Sequence, residues 1–309
     1  MSEIIVRFPD FPDVPALSTE HEGEGCWLAD LSGWWDGVES RTESDPRPDA
    51  DGDYDQEPVY SEARYPIVTG RVRFSDEAEM FAARKPFARL AAHRGPFTLE
   101  VQSPDGVQQA KVIRNGRLVW DMSNPMRFEF ELPLKAADPR KYGPLKVAST
   151  GLPMPGGGVE SPVTSPFSQA MTPFGDSFPS GDTFEDTFPG SVISSGSTGR
   201  VTLVNLGTTD TIPLLRVSGG GLSQGVELTR IETAEKLRLE WPLLTTDTVT
   251  FSPGDGQVWL NDQAPIAGYL TLAQWWTLGP GETATIQFEG LGDVSGNPVL
   301  TVEYRDADA

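Results

Sequence analysis

The chain has 309 residues, room for two ordinary domains with a core each. A formal net charge of −21 argues against DNA binding, which needs clustered Lys and Arg facing the polyanion, and favours solubility through self-repulsion. Its single cysteine, Cys26, and its two histidines exclude an internal disulfide and any plausible zinc constellation. Cys26 reads as a free buried thiol, compatible with a reducing cytoplasm. The opening MSEIIVRFPDFPDVP has no basic region leading into an apolar run, and no apolar stretch approaches the ~20 residues that span a bilayer. Neither a secretion signal nor a membrane span is expected.

With 32 glycines and 27 prolines between short alternating apolar runs, the chain reads as mainly β. Charge is uneven along it. Residues 10–57 hold fifteen acidic side chains against Arg41 and Arg47, a balance of −13. Residues 64–94 reverse the sign, with Arg64, Arg71, Arg73, Arg84, Lys85, Arg89 and Arg94 against Asp76, Glu77 and Glu79. Either one copy presents its acidic face to the basic face of another, or both faces are separately solvated. Within SDEAEMFAARKPFARLAAH, Asp76 caps a helix and the early carboxylates suit its dipole. Met80, Phe81, Arg84, Phe87, Leu90 and Ala91 follow helical spacing and form a core stripe, while Pro86 should kink or divide the helix. Asn115-Gly116, between AKVIR and RLVW, predicts a type I′ hairpin. Met126, Phe128, Phe130, Leu132 and Leu134 then alternate with polar residues, a strand with one face on a core.

From 148 to 199 Gly, Pro, Ser and Thr dominate without period, so this stretch reads as a linker. Phe167, Phe174, Phe178, Phe184 and Phe188 recur in it, which predicts an extended arm docked on a neighbouring domain or subunit. Beyond Arg200 about nine short strands are expected, among them VTLVN, PLLRV, KLRLEW, TVTF, QVWL, TATIQF and PVLTVEY, with turns at 252–256 and 279–282. Such spacing indicates a jelly-roll β-sandwich. The domains are therefore 1–147, a linker arm 148–199, and 200–309.

Motifs for chemistry are few. GLSQG matches the G-x-S-x-G elbow and would make Ser223 a nucleophile, but VELTRI after it reads as a strand, and both His21 and His93 lie upstream. Asp49, Asp51, Asp53 and Asp55 resemble the opening of a calcium loop, yet Gly52 is misplaced and Tyr60 stands where the closing Glu belongs, so a solvated acidic turn is preferred. Trp34-Trp35 and Trp275-Trp276 could stack on sugars; core or interface packing is preferred, since neither pair comes with a polar loop platform. No catalytic, cofactor-binding or metal residues are expected, and no nucleotide motif occurs.

Read in order, the motifs resemble a family. GWWDGVESRTESDPRPDADGDYDQEPVYSEARYPIVTGRVRF is similar to the first-domain signature of siphophage distal tail proteins. MRFEFELPLKAADPRKYG resembles that domain's end through Ala137, Asp138, Pro139, Arg140 and Tyr142. GRVTLVNLGTTDTIPLLRVSGG is similar to the second-domain pattern through Asn205, Gly207, Thr208, Pro213 and Gly219. WTLGPGETATIQF also fits, with Thr283 where Asn is usual. The resemblance implies an N-terminal split β-barrel-like domain with one helix, which closes a homohexameric ring, and a C-terminal galectin-like sandwich outside it. It further implies a non-enzymatic tail-tip component assembled in the host cytoplasm. Its partners would be itself, the tail tube protein, the tail hub or tail-associated lysin, and possibly tape-measure and fibre proteins. The alternatives are a carbohydrate-binding adhesion module and, on Ser223 alone, an esterase.

Overall fold

Period-two burial builds both halves of the protein. The computed structural model describes residues 3–20, 23–41, 51, 60–124, 127–153 and 197–309. In the first half β1 (Ile5–Arg7), β2 (Leu17–Ser18) and β3 (Gly25–Ser32) precede a short ribbon of β4 (Ser40–Arg41) and β5 (Tyr60–Ser61). Then come β6 (Ile67–Arg73), helix α1 (Glu77–Ala92), β7 (Phe97–Ser103) and β8 (Gly106–Arg114). They are followed by β9 (Val119–Asn124), β10 (Arg127–Lys135) and β11 (Lys141–Tyr142). The main sheet runs β2-β1-β7-β8-β10-β6-β3, and no pairing joins β2 to β3 among the described residues, so the barrel is split.

The alternation in β10 buries Phe128, Phe130, Leu132 and Leu134, while Met126 lies outside the described residues. Gly70 in β6 lies under the Phe130 ring, with no room for a side chain. Helix α1 closes this core, its Phe87 ring 4.4 Å from that of Phe130. Asp76 caps it as expected, accepting from the Ala78 N–H at 3.0 Å. Two expectations fail here. Pro86 lies inside an undivided helix, and the carbonyl it leaves without a donor belongs to Ala82, an exposed residue. Phe81 is 41% exposed, and Arg84 stacks over Trp120 at 4.8 Å instead of joining the core.

The hairpin at Asn115-Gly116 is also overturned: β9 pairs with β10, not with β8. A type I′ turn needs positive φ at both central residues, and only Gly116 takes it, at +117°. Trp120 decides the pairing, since its ring meets Phe128 at 5.0 Å and Phe130 at 5.6 Å across β9 and β10.

The second half opens with β12 (Lys146–Gly151), and resumes with β13 (Arg200–Val204), β14 (Leu214–Leu222), β15 (Gly225–Arg230) and β16 (Lys236–Leu239). Next are β17 (Thr248–Ser252), β18 (Gln257–Leu260), β19 (Ala264–Pro265) and β20 (Leu270–Ala273). The last are β21 (Thr283–Leu291), β22 (Val294–Tyr304) and β23 (Ala307–Asp308). Two antiparallel sheets, β12-β22-β14-β17-β18-β19 and β13-β21-β15-β16-β20, face each other over a core that includes Leu228, Leu237, Phe251, Ile286 and Phe288. Every strand read beyond residue 200 is present, and VELTRI is β15.

β12 straddles the expected boundary at 147/148. Paired along its length with β22, it belongs to the sandwich, so the chain enters the second domain before the Phe-rich stretch and not after it. Thr150 and Ser197 share a hydroxyl contact at 2.9 Å, and the Ser197 hydroxyl donates to the Gly151 carbonyl at 2.8 Å. The five phenylalanines of the expected arm lie outside the described residues.

Candidate functional site at the domain junction

The residues that carried the first-domain resemblance converge on one buried cation. Arg64 pairs by its backbone with Ala136, which fixes where its side chain points. Arg64 is 3% exposed, and its guanidinium donates through Nε to the Pro139 carbonyl at 2.9 Å. Nη1 donates to the carbonyls of Trp34 at 2.9 Å and Asp36 at 2.7 Å. One side chain thus ties the WWD turn, 30 residues before it, to the DPR turn, 75 residues after it, a link that no local signal announces. Lys141, also buried, reaches the same Trp34 carbonyl at 3.5 Å. Burial pushes the pKa of Lys141 down, the nearby Arg64 pushes it further, and Asp308 partly restores it. Burial likewise lowers that of Arg64 against a smaller effect from Asp36. Tyr142 donates to the Asp138 carboxylate at 2.6 Å, and burial followed by that bond pushes its phenol up to about 12. A recess of about 170 Å³ opens beside Arg64, lined by carboxylates of Asp36, Glu39 and Glu62 but by no Ser, Cys or His.

The second-domain motif has an equally physical reading. Asn205, fully buried, donates to the carbonyls of Thr209, Leu278 and Gly279, and its Oδ1 accepts from Gly207 N–H at 3.0 Å. Gly207 is required because a Cβ there would sit 2.0 Å from the Ala307 carbonyl oxygen. Gly219, at φ +82°, forms the irregularity between Ser218 and Gly220 in β14. Arg230 pairs with Glu282 and donates to the Thr277 carbonyl, while Glu282 accepts from Gly279 N–H; together they shape the 279–282 turn. A second recess of about 170 Å³ spans both domains, lined by Thr98, Gln109, Lys111, Tyr142 and Arg305.

Other sequence candidates are placed elsewhere. The Ser223 hydroxyl accepts from Asp293 N–H at 2.7 Å, and His93 lies in the other domain against Phe11, so among the described residues no histidine stands beside Ser223; His21 lies outside them. Of the aspartate run only Asp51 lies among the described residues. Trp34 and Trp276 are buried, Trp275 is half-buried against the sandwich core, and Trp35 is exposed, at 45%. The basic stretch is partly spent within its own chain. Arg64 is internal, Arg71 pairs across strands with Glu129 at 3.1 Å, and Arg89 meets Asp13 at 2.5 Å. Asp10 likewise faces Lys111 at 3.8 Å. The idea of one acidic face meeting one basic face of another copy therefore loses three of its cations. Sequence reading missed Arg64, Lys141 and Asn205 as buried polar anchors, since nothing local distinguishes them from exposed residues.

Residues 206–307 match the family described as siphovirus-type tail component, C-terminal domain. No curated protein sequence matches the chain. Among solved structures the chain is similar to the Dit (gp 19.1) protein of phage SPP1, described as a paradigm of the hub adsorption apparatus in phages infecting Gram-positive bacteria. The TM-score is 0.59 at 11% identity over 98% of both chains, a likeness of fold. It is also similar to a chain of the phage P2 baseplate in its activated conformation with Ca, at TM-score 0.47 and 11% identity over 97% of both chains, too slight a likeness to argue from.

Proposed function

Since its C-terminal domain belongs to the siphovirus-type tail component family and its full length has the fold of a distal tail hub protein, we propose that this chain forms a closed homohexameric ring at the tail tip of a long-tailed phage. The ring joins the tail tube to the hub or tail-associated lysin and to fibres, and performs no catalysis. The observation that carries this reading is the agreement of one fold over 98% of both chains with a family match confined to the sandwich. The first domain supports ring closure. Its sheet is open: among the described strands β3 pairs with β6 alone and β9 with β10 alone, and β9 exposes Val119 and Met122. A head-to-tail contact of that kind closes into a ring when its rotation divides the circle. Light scattering and negative-stain microscopy of the intact chain test this: a single closed species with a central opening is expected. A monomer at tens of micromolar would refute it. With Arg64, Arg71 and Arg89 engaged internally, assembly should be only weakly sensitive to salt.

A further inference from the structure

We propose that the last five residues, 305–309, form a strap that locks the angle between the two domains. Between β11 and β12 the chain crosses from one domain to the other through Gly143, Pro144 and Leu145 alone. A single covalent crossing of that length leaves rotation about several backbone bonds. The strap supplies a second attachment, distant in sequence and adjacent in space.

It is held on both sides. Toward the first domain, β23 pairs with β11 in the register Lys141↔Asp308 and Tyr142↔Ala307. Gly143 N–H donates to the Asp306 carbonyl at 2.8 Å, Arg305 donates to the Gly143 carbonyl at 2.8 Å, and Gln108 donates to the Asp308 carboxylate at 2.8 Å. Toward the sandwich, Asp306 accepts from Leu206 N–H at 2.9 Å and pairs with Lys146 at 2.6 Å. The Ala307 carbonyl accepts from Thr209 N–H, and Asp308 accepts from Thr208 N–H, both at 3.0 Å. Asp308 thus binds one domain with each carboxylate oxygen, Oδ2 to Gln108 and Oδ1 to Thr208. Asn205 and Gly207 are the receptor for the strap: one presents the 205–209 loop, and the other leaves the space that the Ala307 backbone fills. The lock does not depend on ring formation, because every contact lies within one copy.

Spin labels on Asp105→Cys and Asp255→Cys, in a Cys26→Ser background, put one probe on an exposed turn of each domain. Diluting labelled with unlabelled chain restricts the signal to distances within one copy. The intact chain should give one narrow distance. Deleting 305–309 should broaden it at least twofold while both domains keep their heat-unfolding transitions, and Gly207→Ala should broaden it with the chain complete. If the shortened chain does not fold, the Gly207→Ala result decides. A folded variant of either kind with the parent's narrow distribution would overturn the proposal.

Discussion

Arg64 and Lys141 are two buried cations beside the same carbonyl, and their removal should have unlike consequences. Arg64→Met keeps length and apolar bulk but takes away three good hydrogen bonds, to the carbonyls of Pro139, Trp34 and Asp36. A buried polar group left without its partner costs ~1–3 kcal/mol. Relief of the buried charge and of its repulsion with Lys141 offsets part of that sum. A net loss of ~2–4 kcal/mol is expected, consistent with breaking a buried charged network. Lys141→Met removes one long contact, 3.5 Å to Trp34, together with a cation that burial and Arg64 both disfavour. Its effect should stay within ~1 kcal/mol of zero, as for a buried charge replaced by an apolar side chain of similar volume. The double variant should cost more than the two singles added, because the relieved repulsion is counted twice in that addition. Urea unfolding, followed on the first-domain transition, measures all three. A Lys141→Met loss equal to that of Arg64→Met would refute the distinction drawn between bonded and merely buried charge.

Three further outcomes are expected. Gly70→Ala places a methyl 2.3 Å from Cζ of Phe130 and should lower first-domain stability by ~1–3 kcal/mol in thermal or urea unfolding; an unchanged midpoint would mean that the ring moves freely. Burial pushes the Cys26 thiol up to about 11 from 9.0, so alkylation at pH 8 should run roughly 100-fold slower than for an unshifted thiol, and a rate equal to that of glutathione would contradict it. The bond from Thr98 N–H lowers the pKa of Asp10 below 3.8 in the fold, so its contribution is present above 3.8 and lost as pH falls through the lowered value. Asp10→Asn should flatten the acid limb of the stability curve below pH 4, and an unaltered limb would show that other carboxylates govern it.

What the sequence reveals depends on how far apart the deciding residues lie. β10 was legible because Phe128, Phe130, Leu132 and Leu134 alternate within one strand, and the cap of α1 because Asp76 binds Ala78 two residues on. The hairpin at Asn115 and Gly116 was misread because its local preference lost to Trp120 packing on Phe128 and Phe130. Residues 64–94 read as a basic face, but charge along a chain does not fix direction: Arg64 points inward while Arg71 sits opposite Glu129 in the register of β6 and β10. The junction was out of reach altogether. Asn205 and Gly207 look like loop residues until Ala307 is brought against them.

The neck formed by Thr150, Gly151 and Ser197 makes the intervening stretch a cassette. What departs beside Gly151 rejoins beside Ser197, so the two ends of the stretch are held side by side on the sandwich. Closing a longer loop is thermodynamically cheap, about 0.6 kcal/mol for each doubling. The registers of β12 with β22 and of β13 with β21 are set by residues outside that stretch. For an engineer the same neck is a grafting port: a foreign domain whose own termini lie side by side could be spliced in between 153 and 197 and displayed from the sandwich.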